Sequence, residues 1–459
     1  MSSVIVLGGG PAGYVAALRA AELGAQTTVV EAREIGGTCL NRGCIPTKAL
    51  VAGAERLRQA RSGAAYGVRS ADVALDFAQL SRRKDEAVAQ LRGGVEQLLK
   101  ARKVNVVRGH GRLLGAGKVL VDDGGSRSEL TADSVILATG SEPVRLPNLD
   151  FSDPHIITSD ELLQLTHLPP SLIVIGGGVI GCEFAAIFAE LGTQVTIVEM
   201  LDQLLPGEDK RTARTLQQAF KRAGIAVHVQ HKVEEMVSTD ADGVTLRLDD
   251  GTQVSGALVL VSVGRKAVSA GLGYEEAGVR LDRGFVVTDE TLQTDVPGVY
   301  AAGDLAGPPL LAHWAYHEGA LAAENAVTGS RLTVDRRVVP SCVFTHPEVA
   351  SCGLTEDRAA AQGIAIDVAQ FRFNANSKAV IEGEADGYVR IVSEKGSGVV
   401  LGASLVGPRV TELVHEVALA AQNRLTVSDI AHTIHAHPTL SEAVGEAALA
   451  GIGHALHSL

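Results

Sequence analysis

The sequence is short of cysteines, has no long apolar run and carries fewer basic than acidic residues. Its 459 residues include five cysteines, a small and odd number, so we expect a reducing, cytoplasmic location and no framework of structural disulfides. No apolar run approaches the ~20 residues that span a bilayer. The strand-like run from Val4 follows no basic leader, so we expect neither a membrane span nor a signal peptide. The net charge of -12 argues against a nucleic-acid partner, because such binding depends on lysine and arginine.

Glycine, by contrast, is abundant. The 51 glycines cluster in short turns between apolar runs, which is typical of α/β proteins with many strand-to-helix connections. Hydrophobic residues make up 46% of the chain and charged residues 20%, as in globular proteins. A chain of this length forms about two to four domains with substantial cores.

Two of the cysteines lie in residues 36–48, which read Gly-Gly-Thr-Cys-Leu-Asn-Arg-Gly-Cys-Ile-Pro-Thr-Lys. A bridge between Cys39 and Cys44 would close a very short ring and would add little stability. Short, strained disulfides tend to be labile or catalytic. The glycine pair predicts a helix start capped by Thr38, and a helix N-terminus lowers the pKa of a thiol. We therefore predict a redox-active pair. The alternative is two unrelated buried thiols.

The first 31 residues carry a dinucleotide-binding fingerprint. A β-branched run is followed by a glycine-rich turn, a helical stretch and a second strand that ends at Glu31. Gly8 permits the tight turn, Gly10 lets the backbone approach a pyrophosphate, and Gly13 allows close packing of helix on strand. The helix N-terminus then binds the phosphates, and Glu31 accepts a hydrogen bond from a ribose hydroxyl. The alternative is a glycine-rich turn that binds nothing.

The same pattern occurs again 168 residues later. Residues 172–199 align with residues 4–31 without a gap. The alignment pairs the three glycines and the glutamate of the first unit with Gly176, Gly178, Gly181 and Glu199. Two such units in one chain imply two dinucleotides.

The position of the cysteines distinguishes the two units. The first unit leads directly into the cysteine stretch, so we expect it to bind FAD, which can take an electron pair from a thiolate and deliver it as hydride. The second unit should then bind the nicotinamide cofactor. Glu199 favours the free ribose 2′-hydroxyl of NAD and repels the 2′-phosphate of NADP.

This combination resembles the flavin-dependent pyridine nucleotide-disulfide oxidoreductases over essentially the whole chain. The resemblance implies that Cys39 exchanges with the substrate and that Cys44 faces the flavin. It also implies that Lys48 lies beside the flavin and pairs with Glu183 near the nicotinamide, although both side chains could instead be solvated. The further cofactor contacts that it implies are Gly37, Thr38, Gly111, Thr139, Gly140, Gly264, Gly303 and Asp304. For Asp304 the alternative is a helix cap.

A possible base for the thiols lies near the end of the chain. A dithiol substrate needs a base that titrates near neutral pH, and histidine is the natural choice. The run His-Ala-His-Pro-Thr-Leu-Ser-Glu at 435–442 matches a family motif, which implies His437 as the base and Glu442 as its partner. Glu442 would hold the other ring nitrogen. The alternatives are a metal cluster with His432 and His435, or ordinary polar histidines. Because no cysteine or paired carboxylate lies nearby, we predict no metal.

The resemblance also implies a function. The expected activity is the oxidation of protein-bound dihydrolipoamide to lipoamide by an NAD-dependent flavoprotein enzyme. Its partner would be a lipoyl-bearing acyltransferase component of a 2-oxo acid dehydrogenase complex, or a lipoyl carrier protein. The alternatives are a family member acting on glutathione disulfide or mercuric ion, and a flavin-binding subunit without turnover. Arg42 stands where the family usually has a small apolar residue, so its charge could alter substrate access.

The predicted fold is α/β, with two Rossmann-like dinucleotide-binding domains and an α+β C-terminal dimerisation domain. We place the FAD domain at 1–145 and the NAD domain at 146–266. The chain then returns to the FAD or central domain at 267–333, and residues 334–459 form the interface domain. Because the cysteines and the histidine base lie in different domains, we expect a homodimer whose active sites are shared across the interface.

Overall fold

The computed structural model describes residues 2–241 and 243–457. The first part of the chain contains β1 (Ser3–Leu7), α1 (Pro11–Glu22), β2 (Gln26–Glu31), α2 (Gly37–Arg42), α3 (Cys44–Ser62), α4 (Phe77–Ala101), β3 (Asn105–Arg108), β4 (His110–Gly115), β5 (Lys118–Asp122), β6 (Arg127–Thr131), β7 (Ser134–Leu137) and β8 (Ser141–Pro143). The second contains β9 (Ile156–Ile157), α5 (Ser159–Leu162), β10 (Ser171–Ile175), α6 (Val179–Leu191), β11 (Gln194–Glu199), α7 (Lys210–Arg222), β12 (Ala226–Val229), β13 (Val233–Asp240), β14 (Gly243–Leu248), β15 (Gln253–Gly256), β16 (Leu258–Val261) and β17 (Arg265–Ala267).

The third part contains β18 (Leu281–Asp282), β19 (Phe285–Val286), β20 (Val299–Ala301) and α8 (Ala312–Thr328). The last contains β21 (Ser341–Val343), β22 (Glu348–Gly353), α9 (Glu356–Ala361), β23 (Ile366–Arg372), α10 (Ser377–Glu382), β24 (Tyr388–Glu394), β25 (Val400–Gly407), α11 (Val410–Gln422), α12 (Val427–Ala431) and α13 (Glu442–Gly451). Short 3-10 turns occupy Gly63–Tyr66, Gly303–Ala306 and Phe373–Ala375.

The two fingerprint units form two parallel sheets of the same topology. The first has the order β20-β7-β1-β2-β3 and the second the order β9-β16-β10-β11-β12. In each, the strand before the glycine turn is central and pairs with the strand after the helix, as Val4 pairs with Thr27 and Leu172 with Val195. The central strands are buried on both faces and are accordingly rich in valine, isoleucine and leucine. This confirms two Rossmann-like units.

The outermost strand of the first sheet comes from the third part of the chain. Strand β20 adds in parallel to β7, and the following helix α8 packs against α1. Alanines dominate this helix contact, among them Ala12, Ala16, Ala315 and Ala322, so the two helices approach closely. The return of the chain brings residues near 303 back to the first glycine turn.

The last part of the chain forms an antiparallel sheet covered by helices. Its order is β21-β22-β25-β24-β23, and α11, α12 and α13 pack on it over a core of valines and alanines. This is the predicted α+β arrangement. A second core cluster joins this sheet to α3 and α6, with Leu50, Phe188, Val349 and Tyr388 in one continuous apolar group.

Some local expectations differ from the structure. The N-cap of α2 is Gly36 with φ 95°, and Thr38 lies inside the helix, so the prediction that Thr38 caps it was wrong. The left-handed backbone at this position favours glycine, which explains the difference. Within the described ranges, none of the helices has both the length and the apolar character needed to cross a bilayer.

Candidate active site and cofactor cavity

The two glycine turns have nearly the same geometry. Gly8 has φ 100° and Gly176 has φ 105°, so both occupy a region that side chains rarely adopt. A Cβ at Gly13 would lie 1.8 Å from the Gly8 carbonyl oxygen, and one at Gly181 would lie 1.9 Å from that of Gly176. The third glycine of each unit therefore permits the close approach of helix and turn.

Each unit also uses its glutamate in the same way. Glu31 accepts hydrogen bonds from the backbone N–H groups of Gly9 at 2.6 Å and Arg33 at 2.7 Å. Glu199 accepts from the N–H of Gly177 at 2.6 Å and from that of Leu201 at 2.7 Å. The two carboxylates thus hold the glycine turn and the chain after the second strand together, beside the place where a ribose would lie.

One cavity of about 1340 Å³ runs between the two units. It exceeds the ~300–1,000 Å³ of most small-ligand pockets. Its wall includes nearly all of the predicted site residues: Gly8, Gly10, Glu31, Gly37, Thr38, Cys39, Cys44, Lys48, Gly111, Thr139, Gly140, Gly176, Gly178, Glu183, Glu199, Gly264, Gly303 and Asp304. Gly13 and Gly181 lie behind the wall, where their predicted packing role places them.

The two cysteines lie in the cavity wall where α2 meets α3. Cys39 is in α2, Gly43 interrupts the helix, and Cys44 is the first residue of α3. Both are free thiols in the structure. Their mutual hydrogen bond raises the pKa of Cys39 and lowers the pKa of Cys44 to about 7, and the charge of Lys48 also lowers the latter. Cys44 is therefore the thiol that ionises first.

Lys48 lies one helical turn beyond Cys44 and is paired with a buried carboxylate. Its Nζ is 2.8 Å from both carboxylate oxygens of Glu183, whose side chain is 5% exposed. The Phe344 backbone N–H also donates to Glu183 at 3.0 Å, and Lys48 Nζ lies 4.5 Å from the centre of the Phe344 ring. Neither predicted residue is simply solvated, and together they place a charge pair beside the thiols.

Asp304 faces the same cavity and does not cap a helix. Its Oδ2 accepts a hydrogen bond from the Ser141 hydroxyl, and Nε of Arg265 lies 4.0 Å away. Arg265 in turn donates to the Ser141 hydroxyl at 2.8 Å and to its carbonyl at 2.6 Å. These contacts fix the direction of the Asp304 carboxylate.

The remaining predicted contacts come from strand ends. The Thr139 hydroxyl donates to the Val268 carbonyl at 2.6 Å, so that side chain is already occupied within the protein. At Gly111 a Cβ would lie 2.7 Å from a Leu7 methyl group, so a larger residue there would displace the end of the Leu7 side chain. These residues shape the wall.

The histidine and its predicted partner form a dyad outside the cavity. Nδ1 of His437 is 2.8 Å from Oε1 of Glu442, and the His437 side chain is 69% exposed. The Thr439 N–H donates to the other carboxylate oxygen at 2.8 Å. Burial raises the pKa of Glu442, but these hydrogen bonds, together with the charges of His437 and His435, lower it below its ordinary value. The structure brings His437 and Glu442 together but leaves them apart from Cys39 within one chain.

Sequence reasoning missed residues that touch the site through long-range contacts. Ser141 and Phe344 were not predicted, although each contacts a predicted carboxylate. Arg265, which holds Ser141, was not predicted either. Its place directly after the strand-ending Gly264 is the one local sign that it lies at the cavity. Nothing in the sequence near Phe344 points to Lys48.

A chain with two dinucleotide units, a thiol pair between them and an antiparallel third domain belongs to the class of two-nucleotide disulfide oxidoreductases. Residues 2–319 match the family model described as pyridine nucleotide-disulphide oxidoreductase, and residues 339–448 match the dimerisation domain of the same family. The chain belongs to the pyridine nucleotide-disulphide oxidoreductase family. Its cofactors are FAD and NAD, and its C-terminal part is a dimerisation domain.

Similar proteins align over the whole length. The dihydrolipoyl dehydrogenase of Halobacterium salinarum is 43% identical over 100% of this chain and 98% of its own. That of Bacillus subtilis is 41% identical over 99% and 98%. Among solved structures, LpdA from Mycobacterium tuberculosis has a TM-score of 0.91 at 32% identity, covering 98% of this chain and 99% of its own. The HOCl-induced flavoprotein disulfide reductase RclA from Escherichia coli has a TM-score of 0.88 at 27% identity, covering 97% and 99%.

The glycine turns fit two dinucleotides. A Cβ built at Gly37 would lie 2.6 Å from Gly10 Cα, so the start of α2 lies directly against the first turn and narrows the groove there. At Gly178 nothing lies within 4 Å of that position, so the second turn faces open space. At each turn, the backbone N–H groups at the start of the helix can bind a phosphate.

Proposed function

We propose that this chain is an NAD-dependent flavoprotein that oxidises protein-bound dihydrolipoamide to lipoamide. The observation that carries the proposal is the thiol pair. Cys39 and Cys44 lie in the wall of a cavity shared by both nucleotide units, with Cys44 beside Lys48 and its pKa lowered to about 7. A dithiol substrate that exchanges with this pair leaves its two electrons on the cysteines, in a cavity that both nucleotides would share.

The first unit would hold FAD through its glycine turn, with Gly37 and Thr38 beside the phosphates and Glu31 at the ribose. Asp304 would accept from the hydroxyl groups of the ribityl chain. The second unit would hold NAD, with Glu199 at the adenosine ribose. When bound, FAD supplies a two-electron redox centre that links thiol oxidation to hydride transfer.

The thiol chemistry belongs to the chain's own residues. His437 takes the proton of one substrate thiol, and the resulting thiolate attacks Cys39 of the oxidised Cys39–Cys44 pair. The bond between the cysteines breaks, and Cys44 leaves as a thiolate. The second substrate thiol then attacks the substrate sulfur of the mixed disulfide and closes the ring of lipoamide. Cys39 leaves and takes the proton of that second thiol, so it ends as a thiol. Two electrons have moved from the substrate to the cysteine pair.

Lys48 and Glu183 support this step. The ammonium of Lys48 stabilises the thiolate of Cys44, since a nearby cation favours the charged form of a thiol. Glu183 is nearly buried and holds Nζ of Lys48 through both oxygens, so the cation is kept at the cavity wall.

We further infer that the base comes from a second copy of the chain. His437 and Glu442 lie on the dimerisation domain and do not line the cavity that holds the cysteines. Apolar side chains are exposed on the same domain, including Ile434 at 97%, Leu419 at 64% and Ile381 at 59%. We infer that a second copy of the chain covers these side chains.

Mixed dimers test this sharing. Subunits carrying Cys44→Ser are co-expressed with subunits carrying His437→Gln, and the mixed dimer is isolated with two affinity tags. If sites are shared, one site collects both changes and the other is intact, so activity returns toward half of the wild-type value. If each subunit supplies its own base, both sites are damaged and the mixed dimer stays as inactive as its parents.

A steady-state assay tests the substrate. We expect dihydrolipoamide with NAD to be turned over far faster than glutathione disulfide or mercuric ion with the reduced nicotinamide. The Cys44→Ser protein serves as the control for thiol-independent turnover. Faster reduction of glutathione disulfide or mercuric ion would replace the proposed substrate.

The partner and location follow from the same chemistry. We infer that the partner is a lipoyl-bearing acyltransferase component of a 2-oxo acid dehydrogenase complex, or a lipoyl carrier protein. We also infer a cytoplasmic location, since five cysteines are few and odd in number and do not suit a framework of structural disulfides. The domain boundaries at 145, 266 and 333 remain our prediction, and limited proteolysis would test them.

A further inference from the structure

A buried carboxylate lies directly behind the turn that presents Asp304 to the cavity. Glu318, in the second turn of α8, is 1% exposed. Its Oε2 accepts a hydrogen bond from the Gly303 backbone N–H at 2.8 Å, and its Oε1 lies 3.2 Å from Nη2 of Arg336. None of the roles assigned above uses this group.

The turn formed by residues 303 and 304 has little room to move. Gly303 has φ 74°, and a Cβ there would lie 2.9 Å from that of Ala12 and 3.2 Å from that of Ala315. Glu318 therefore holds the backbone N–H of a tightly packed turn whose next side chain, Asp304, faces the cavity. Because Asp304 directly follows Gly303, a weaker hydrogen bond between Glu318 and the Gly303 N–H would loosen the backbone that positions the Asp304 carboxylate.

Two charged groups face Glu318. Arg336 approaches from the segment after α8, and Asp304 lies across the turn. Helix α1, which packs on α8, contributes alanines to this region. Burial is the largest influence and raises the pKa of Glu318 to about 7, Asp304 acts in the same direction, and the Gly303 N–H and Arg336 oppose both. The carboxylate therefore changes its charge near neutral pH.

We propose that Glu318 is a positioning residue for the 303–304 turn, and that this turn holds FAD more tightly when the Glu318 carboxylate is ionised. The inference rests on the FAD site of the proposed function. An ionised carboxylate makes a charge-assisted hydrogen bond to the Gly303 N–H, which is stronger than a neutral one, and pairs with Arg336. Protonation weakens both contacts. By linkage, bound FAD must in turn favour the ionised form.

The test measures FAD affinity as a function of pH. Apoprotein prepared from the full-length chain is titrated with FAD, and the change in flavin fluorescence gives Kd over a pH range that brackets 7. We expect the Kd of the wild type to fall about three- to tenfold as the pH rises through this value, because a charged hydrogen bond replaces a neutral one. Glu318→Gln keeps the shape and an acceptor oxygen but cannot ionise. Its Kd should stay at the acid value of the wild type throughout.

Two further variants separate this effect from general loss of stability. Glu348 is a partly buried carboxylate with a raised pKa and accepts from a backbone N–H, that of Thr411 at 3.1 Å, but Thr411, unlike Gly303, does not line the cofactor cavity. Glu348→Gln should therefore leave the pH dependence of FAD binding unchanged. Arg336→Met removes the cation that favours the ionised form, so the midpoint should move to higher pH without disappearing.

The outcomes are distinct. A Glu318→Gln protein whose FAD affinity follows pH as the wild type does overturns the proposal, and so does a wild-type affinity that stays flat through pH 7. If Glu318→Gln does not fold, an unshifted midpoint in Arg336→Met overturns it. A wild-type chain that binds no FAD at any pH contradicts the proposed function itself.

Discussion

The two nucleotide-binding units of this chain have nearly the same backbone geometry. They differ in the residues that the alignment of residues 4–31 with 172–199 does not match. Both place a glutamate under the glycine turn, with distances of 2.6 and 2.7 Å in each unit. Both begin their helix at a glycine with extended backbone, φ -72° at Gly10 and -73° at Gly178. The shared features are those that a dinucleotide requires.

The two units differ in the residues proposed for thiol chemistry. The chain after Glu31 enters α2 and the cysteines, whereas the chain after Glu199 continues through an irregular segment to α7. In the helices, the alignment pairs Val15 of the first unit with Glu183 of the second, and Glu183 is the residue that holds Lys48. We expect the matched glycines and glutamates to bind the nucleotides, whereas the charge pair and the thiols come from residues that the two units do not share, Glu183 among them.

The largest effect is expected at a position outside the repeat. Cys44→Ser should lower turnover with a dithiol by a factor on the order of a thousand or more, because covalent exchange through the pair is lost. The protein should still bind both nucleotides, since the repeated positions are intact. Steady-state kinetics with dihydrolipoamide, alongside FAD content and NAD binding, measure both properties. Retained turnover would place the chemistry elsewhere.

A smaller effect should separate the two units from each other. Gly13→Ala and Gly181→Ala each place a methyl group within 2 Å of a backbone oxygen, at 1.8 and 1.9 Å. We expect the first to weaken FAD binding and the second to weaken NAD binding, each by roughly tenfold to a hundredfold, about 1.4 to 3 kcal/mol. Flavin content and NAD titration of the two variants give the comparison. Loss of FAD from Gly181→Ala would reverse our assignment.

The thiol between the units should show a defined pH dependence. The pKa of Cys44 lies at about 7, below its ordinary value, because of its hydrogen bond with Cys39 and the charge of Lys48. The rate of alkylation of the reduced protein should therefore rise as the pH increases through about 7. Lys48→Met should move this midpoint upward, because it removes a cation that favours the thiolate. Mass spectrometry assigns the alkylated cysteine, and a midpoint that Lys48→Met leaves unmoved would contradict the influence of Lys48 on Cys44.

The matched glutamates should differ in coenzyme choice. We expect NAD to be preferred over NADP by at least about tenfold in kcat/KM, or about 1.4 kcal/mol, because Glu199 repels a 2′-phosphate. Glu199→Gln should reduce this preference, and Glu31→Gln should leave it unchanged. Equal use of both coenzymes by the wild type would contradict the role of Glu199.

The repeat also explains how much could be predicted. The glycine turns, the parallel strands and the glutamates depend on local backbone requirements that the sequence displays directly, and both units formed as expected. The contacts that hold the other site residues in place do not depend on local patterns. Ser141 meets Asp304 across 163 positions, and the Phe344 N–H meets Glu183 across 161. Such contacts depend on how three domains pack, which no local pattern encodes. The roles of the individual site residues remain predictions.

Arg42 lies between the two units and lines the cavity close to the cysteines. Its Nη1 lies 2.7 Å from Oε2 of Glu34, and its Nε lies 3.5 Å from Oδ2 of Asp160, in the first turn of α5. Burial raises the pKa of Asp160, and the charge of Arg42 opposes that effect. The guanidinium is therefore directed to two carboxylates, Glu34 and Asp160.

The smallest expected effect is accordingly that of Arg42→Val. We expect kcat/KM for the dithiol to change by less than about threefold, and the free energy of unfolding by about 1 kcal/mol or less, since Glu34 is half exposed and its ion pair is screened by water. Asp160 should respond by binding a proton at higher pH, because its nearest cation is gone. Glu34→Gln is the matched control, because it loosens Arg42 without removing the charge. If Arg42→Val instead changes KM for the dithiol strongly while KM for NAD stays constant, the guanidinium controls substrate access, and the region between the units carries a determinant that neither repeat contains.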